Sequence, residues 1–162
     1  MVFENDIRKK KMNFLFKNRI EEDIPPILYI NKESFTSSAF ALIENAVVHN
    51  VERNGDVTLE INCVKDAKQR GVYTIFIVII NTVPTLLKQA KIDEYLLMDS
   101  DKFLRKTQNE DKFGLSIAKK LTNDMYGTLT GHVSQLYNQS RERHSVKFSM
   151  SMRAFKQRYH YP

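Results

Sequence analysis

Residues 72–80, VYTIFIVII, admit few backbone conformations. Every side chain in the run is β-branched or aromatic. Such residues lose rotamer freedom in a helix and fit a pleated surface. A run with no polar alternation reads as a central strand covered on at least one face. Just upstream, residues 57–63 do alternate: Val57, Leu59, Ile61 and Cys63 fall on one side, Thr58, Glu60 and Asn62 on the other. That period of two is a half-buried strand. Gly55-Asp56 marks the turn ahead of it, and the charged segment 65–71 links the two strands. They are expected to pair as a hairpin with a long loop.

A sheet of this kind needs an apolar layer against it. Residues 33–50, ESFTSSAFALIENAVVHN, supply a helix. Phe35, Ala39, Leu42, Ile43, Ala46 and Val47 recur at steps of three and four and share one face. Asn45 lies inside this apolar run, and His49 follows one turn later on the same side. A buried amide without a partner costs about 1–3 kcal/mol, so Asn45 calls for a hydrogen-bond partner, a water or a bound ion. Both side chains can equally sit at the edge of the core and meet water. A second helix is expected over residues 114–125, with Leu115, Ile117, Ala118, Leu121 and Met125 inward and Gly127 as its C-terminal cap. Residues 85–98 are weakly helical.

Four further stretches read as strands: 13–17, 27–30, 128–136 and 144–152. Pro25-Pro26 break any helix ahead of the second of them. In the last, Val146, Phe148, Met150 and Met152 face one way. Segment 99–113 is polar and charged, and long enough for a mobile or functional loop. Strands and helices in this order point to an α/β fold. The expected architecture is a two-layer sandwich: a mixed, mostly antiparallel sheet with helices on one face, leaving the other face for solvent or a partner.

The chain of 162 residues suits one domain with a proper core. The expected boundaries are a linker or tail at 1–12, the domain at 13–152 and a basic tail at 153–162. A net charge of +6 is compatible with an anionic partner or with a solvated basic surface. No basic run is interleaved with aromatics, so no nucleic acid is expected. The one cysteine, Cys63, allows no internal disulfide and fits a reducing cytoplasm. The N-terminus lacks a signal-type apolar segment, and the longest apolar run is too short to span a bilayer.

Several motifs then fall in a recognisable order. LIENAVVHN resembles the N-box of the histidine kinase ATP-binding domain, in the GHKL superfamily shared with gyrase. FIVIINTVP resembles that family's first glycine box, with Asn81 where an aspartate is usual. FLRKTQNEDKFGLSIAKKL resembles the aromatic lid motif running into the second glycine box. MYGTLT and VKFSMSM are similar to its closing strands. The resemblance implies the Bergerat ATP-binding fold, with ATP and Mg2+ as cofactors. It implies that Asn45 ligates the metal, that His49 lies beside the nucleotide, and that Asn81 accepts from the adenine amino group. Gly114 and Leu115 would offer free amides to phosphate at a helix start. Arg105, Lys106 and Lys112 would neutralise phosphate charge, and Phe103 would anchor the lid. No residue of this chain is assigned as catalytic.

The chain departs from the pattern at defined places. Val83 and Pro84 stand near the glycines of the first box, and Glu110 and Lys112 replace glycines of the second. Glycine lets backbone approach phosphate closely. Val48 stands where many of these kinases carry a phosphate-binding lysine. Ala41 stands where the gyrase branch has its catalytic glutamate, which argues against water-activated hydrolysis of that type. None of the four histidines precedes the N-box, so an acceptor histidine belongs to another domain. The function implied is therefore phosphoryl transfer to a histidine-containing dimerisation domain, or work with a response regulator, in a parent or partner protein. The rival expectation is a degenerate domain that acts as an interaction module with weak nucleotide binding or none. An anti-sigma-type serine kinase is a third and fits GLSIAKKL less well.

Overall fold

The computed structural model describes residues 4–21, 23–24, 28–50, 55–83, 89–97, 113–138 and 141–156. Five strands form one sheet: β1 (Asn13–Asn18), β2 (Asp56–Lys65), β3 (Val72–Val83), β4 (Thr128–Asn138) and β5 (Arg141–Phe155). Their order is β1-β2-β3-β5-β4. β1 runs parallel to β2, and every other pair is antiparallel. The expected mixed, mostly antiparallel sheet is therefore present, with β3 at its centre. The predicted β2–β3 hairpin is present too. In its connection Asp66 Oδ1 accepts from the backbone N–H of Lys68 and Gln69, a local turn that closes the loop.

Among the described residues four helices accompany the sheet: α1 (Glu4–Lys9), α2 (Lys32–Val48), α3 (Gln89–Leu97) and α4 (Phe113–Asp124). α2 begins where Asn31 can cap it: the Asn31 side chain accepts from Ser34 N–H at 3.0 Å. α2 and α4 pack against each other, α2 on β3 and α3 on β4. One face of the sheet meets these helices. Val57, Ile77, Ile79, Val146, Phe148, Met150 and Met152 lie on it, buried with Leu42, Ala46 and Val47 of α2 and Ala118 of α4. Burying a Leu42-sized side chain contributes about 2 kcal/mol. The other face, with Thr58, Glu60, Val78 and Ser149, stays half-exposed.

Three expectations change. Of the strand expected at 27–30, Ile27 lies outside the described residues, and among Leu28, Tyr29 and Ile30 there is an isolated bridge from Tyr29 to Phe155, with hydrogen bonds of 2.7 and 3.0 Å. The central strand runs three residues past Ile80, because Asn81, Thr82 and Val83 still pair with Val146, Ser145 and His144. Gly127 is not the left-handed cap of α4. Tyr126 adopts that conformation, at φ 54°, with Tyr126 N–H on Asn123 O and Gly127 N–H on Thr122 O. Gly127 is needed for another reason: a Cβ there would lie 1.9 Å from Ser151 O. Of the segment 99–113 expected as a lid, 99–112 lies outside the described residues, as does the end of the tail, 157–162.

Candidate functional site

The two longest strand signals and the apolar helix meet at one end of the sheet. α2 ends at Val48 and β2 begins at Asp56. Asn50, buried just past the helix, donates from Nδ2 to Asp56 O at 3.1 Å. Thr82 Oγ1 accepts from Asp56 N–H at 3.0 Å and donates to Asp56 O at 3.4 Å. The C-terminal end of α2 and the final residues of β3 are thus tied to the same peptide. That brings the part of α2 that carries Asn45 and His49 to the end of β3 that carries Asn81.

Lys10 reinforces the arrangement. Its Nζ donates to Val47 O at 3.1 Å and Val48 O at 2.9 Å, two of the carbonyls a helix end leaves free. The ammonium also faces the negative end of the helix dipole.

Asn81 is 2% exposed and lies on the helix-facing side of β3, in line with Ile77, Ile79 and Val83. Its Nδ2 donates to Thr82 O at 3.3 Å. Its Oδ1 is enclosed and has no hydrogen-bond partner among the described residues. Such an acceptor costs about 1–3 kcal/mol until something donates to it. Asn45 is half-buried, one turn beyond Ala41 and Leu42, which are both buried. Its side-chain oxygen is the hard donor type that Mg2+ takes alongside phosphate and water. Among the described residues no three His, Cys, Asp or Glu side chains gather as a metal cluster. His49 is the exposed C-cap of α2, and its N–H donates to Asn45 O at 3.1 Å.

α4 starts at Phe113, so Gly114 and Leu115 belong to its first turn, where amides lack helical acceptors. Leu115 is half-buried and packs on the main core. Arg105, Lys106, Lys112, Phe103, Glu110 and Pro84 lie outside the described residues. Val48 is 48% exposed, and Ala41 is 7% exposed in the core.

Among the described residues two further polar atoms are enclosed without a partner: Ser38 Oγ on α2 and His144 Nδ1 on β5. The sequence reading missed both. The only local sign of His144 was its place two residues before Val146 in an alternating strand.

The opposite end of the same sheet face has different chemistry. Ile24, Cys63 and Tyr73 form a small buried cluster with Leu28 and Ile75 beside it. Burial pushes the Cys63 thiol above its ordinary pKa. At the surface beside it Lys65 pairs with Asp23; that hydrogen bond raises the Lys65 ammonium.

No protein-family model matches the chain, and no curated protein does. Solved structures do. The catalytic domain of the histidine kinase ThkA, in a nucleotide-free form, matches at a TM-score of 0.61 and 17% identity. The match covers 93% of this chain and 84% of that one. The mycobacterial sensor histidine kinase MprB matches at a TM-score of 0.60 and 11% identity, over 96% of this chain and 91% of that one. The chain therefore has the fold of histidine kinase catalytic domains. Among the described residues no helix is long and apolar enough to cross a membrane.

Proposed function

We propose that this chain is the ATP-binding catalytic domain of a histidine kinase, working with a partner domain that carries the acceptor histidine. The observation that carries the reading is the enclosed, unpartnered Oδ1 of Asn81, on a sheet end tied to the helix that bears Asn45. An adenine amino group is a donor of the right kind for that oxygen. Asn45 would hold Mg2+ together with phosphate oxygens, with His49 at the mouth. Bound Mg2+ neutralises charge on the phosphates. The first-turn amides at Gly114 and Leu115, with Arg105, Lys106 and Lys112, would hold the phosphate oxygens. Phosphoryl transfer of this type needs positioning and charge neutralisation more than covalent chemistry from the domain. The γ-phosphoryl would pass to a histidine on a dimerisation domain, with a response regulator downstream. Such a domain would work in the cytoplasm, where ATP is.

The test is calorimetric titration of ATP with and without Mg2+. The wild type should bind with Mg2+. Asn81→Leu should weaken binding about tenfold, the scale of one hydrogen bond, and Asn45→Ala should remove its Mg2+ dependence while the fold persists.

One observation favours the interaction-module reading instead. Val83, near a glycine-box position, is the buried last residue of β3 and is paired with His144. A β-branched residue there fills space that glycine would leave open. On that reading the wild type binds no ATP at millimolar concentration, and Val83→Gly acquires binding.

A further inference from the structure

The orphaned oxygen of Asn81 is not alone on its face. In the β3–β5 ladder Asn81 opposes Val146 and Val83 opposes His144. Residues opposed across an antiparallel pair point to the same side, and so do residues two apart along a strand. Asn81, Val83, Val146 and His144 therefore all point toward the helices, with Asn81 and His144 as diagonal neighbours. Diagonal neighbours lie about 7–8 Å apart, a gap that one aromatic heterocycle spans. Both present an enclosed polar atom with no partner among the described residues: Oδ1 of Asn81 and Nδ1 of His144. Their partners across the β3–β5 ladder, Val146 for Asn81 and Val83 for His144, are buried and apolar and offer no hydrogen bond.

We propose that His144 is a second base-reading residue, acting with Asn81 on one purine edge. This rests on the reading of this sheet end as a nucleotide site. Asn81 Oδ1 accepts from an exocyclic amino group. His144, with its proton on Nδ1, donates to the adjacent ring nitrogen. The acceptor–donor order on the protein complements the donor–acceptor order of the adenine edge. Guanine presents a carbonyl and a ring N–H there, which is the reverse order, and would face like against like at both positions. A purine would satisfy two buried groups at once, so discrimination comes from leaving them unpaired with the wrong base.

Three probes test this on the full chain: ATP, 1-deaza-ATP, which lacks the ring nitrogen, and purine riboside triphosphate, which lacks the amino group. The wild type should bind each analogue about tenfold more weakly than ATP, the scale of one hydrogen bond. In His144→Leu the difference between ATP and 1-deaza-ATP should vanish, while the penalty for the missing amino group persists. In Asn81→Leu the pattern should invert. His144→Asn, which keeps an N–H near the position of Nδ1, should recover discrimination against 1-deaza-ATP. A wild type that binds ATP and 1-deaza-ATP alike overturns the role of His144 without any variant. So does discrimination that persists in a folded His144→Leu. Either result leaves the nucleotide site standing. A wild type that binds none of the three overturns both readings.

Discussion

The helix-facing side of the sheet has two unlike ends. At the β2 C-terminus, Cys63, Tyr73 and Ile24 close the face with apolar contacts, and the Tyr29–Phe155 bridge and the Asp23–Lys65 pair hold the covering segment in place. At the β2 N-terminus, the same strands carry Asn81 and His144, each with an enclosed polar atom unmatched among the described residues. The strands are continuous from one end to the other, so the difference lies in side chains alone. One end adds to stability. The other detracts from it and is poised to gain from a ligand. That contrast is the usual mark of a functional site on a structural scaffold.

The comparison is broken most forcefully at the sealed end. Tyr73→Ala removes a ring that is 6% exposed and should cost about 3–5 kcal/mol in chemical denaturation. Any ATP binding by the folded fraction should be unchanged. Gly127→Ala belongs to the same class, because the added Cβ meets Ser151 O; a marked fall in Tm is expected.

The opposite sign is expected at the polar end. Asn81→Leu replaces an amide whose oxygen has no partner among the described residues with a side chain of similar shape. It should leave stability unchanged or raise it by about 1 kcal/mol while weakening nucleotide binding about tenfold. A loss of several kcal/mol would mean that Asn81 is a structural residue and that the two ends do not differ in kind.

Lys10 tests whether the N-terminal segment helps to set the polar end. Lys10→Met keeps the stem and removes both hydrogen bonds to the last turn of α2. A loss of about 1 kcal/mol is expected, with faster amide exchange near the end of α2. Unaltered exchange there would separate the segment from the site.

The smallest effect is the pH response of the sealed end. Burial raises the Cys63 pKa, so the folded state favours the neutral thiol. Its contribution is fully present below the unfolded value, near 9, and is lost as pH rises through the higher folded value. Alkylation at about pH 8 should be slow in the folded protein and fast in denaturant. The fall in Tm between about pH 8 and pH 10 should be smaller in Cys63→Ser.

Local chemistry was enough for the elements themselves. The β-branched run makes β3, the period of two makes β2, and the apolar steps of three and four make α2 and α4. These depend on neighbours within a turn or a pleat, which the sequence displays directly. The order of motifs also pointed to the fold and to Asn45, Asn81 and Gly114 as residues to watch. Short-range reading failed where a distant strand intervened. Val83 stays in β3 because β5 pairs with it, Tyr29 is placed by its bridge to the distant Phe155, and Gly127 matters because Ser151 lies against it.

His144 is the clearest case of what the tertiary structure alone decided. Its position in an alternating strand marks a face, but not what lies opposite. Only the β3–β5 register sets it diagonally across from Asn81, and only the folded chain encloses both polar atoms. Register is a relation between residues far apart in sequence, selected by the burial of a whole face at once. A single strand read by itself carries no record of it.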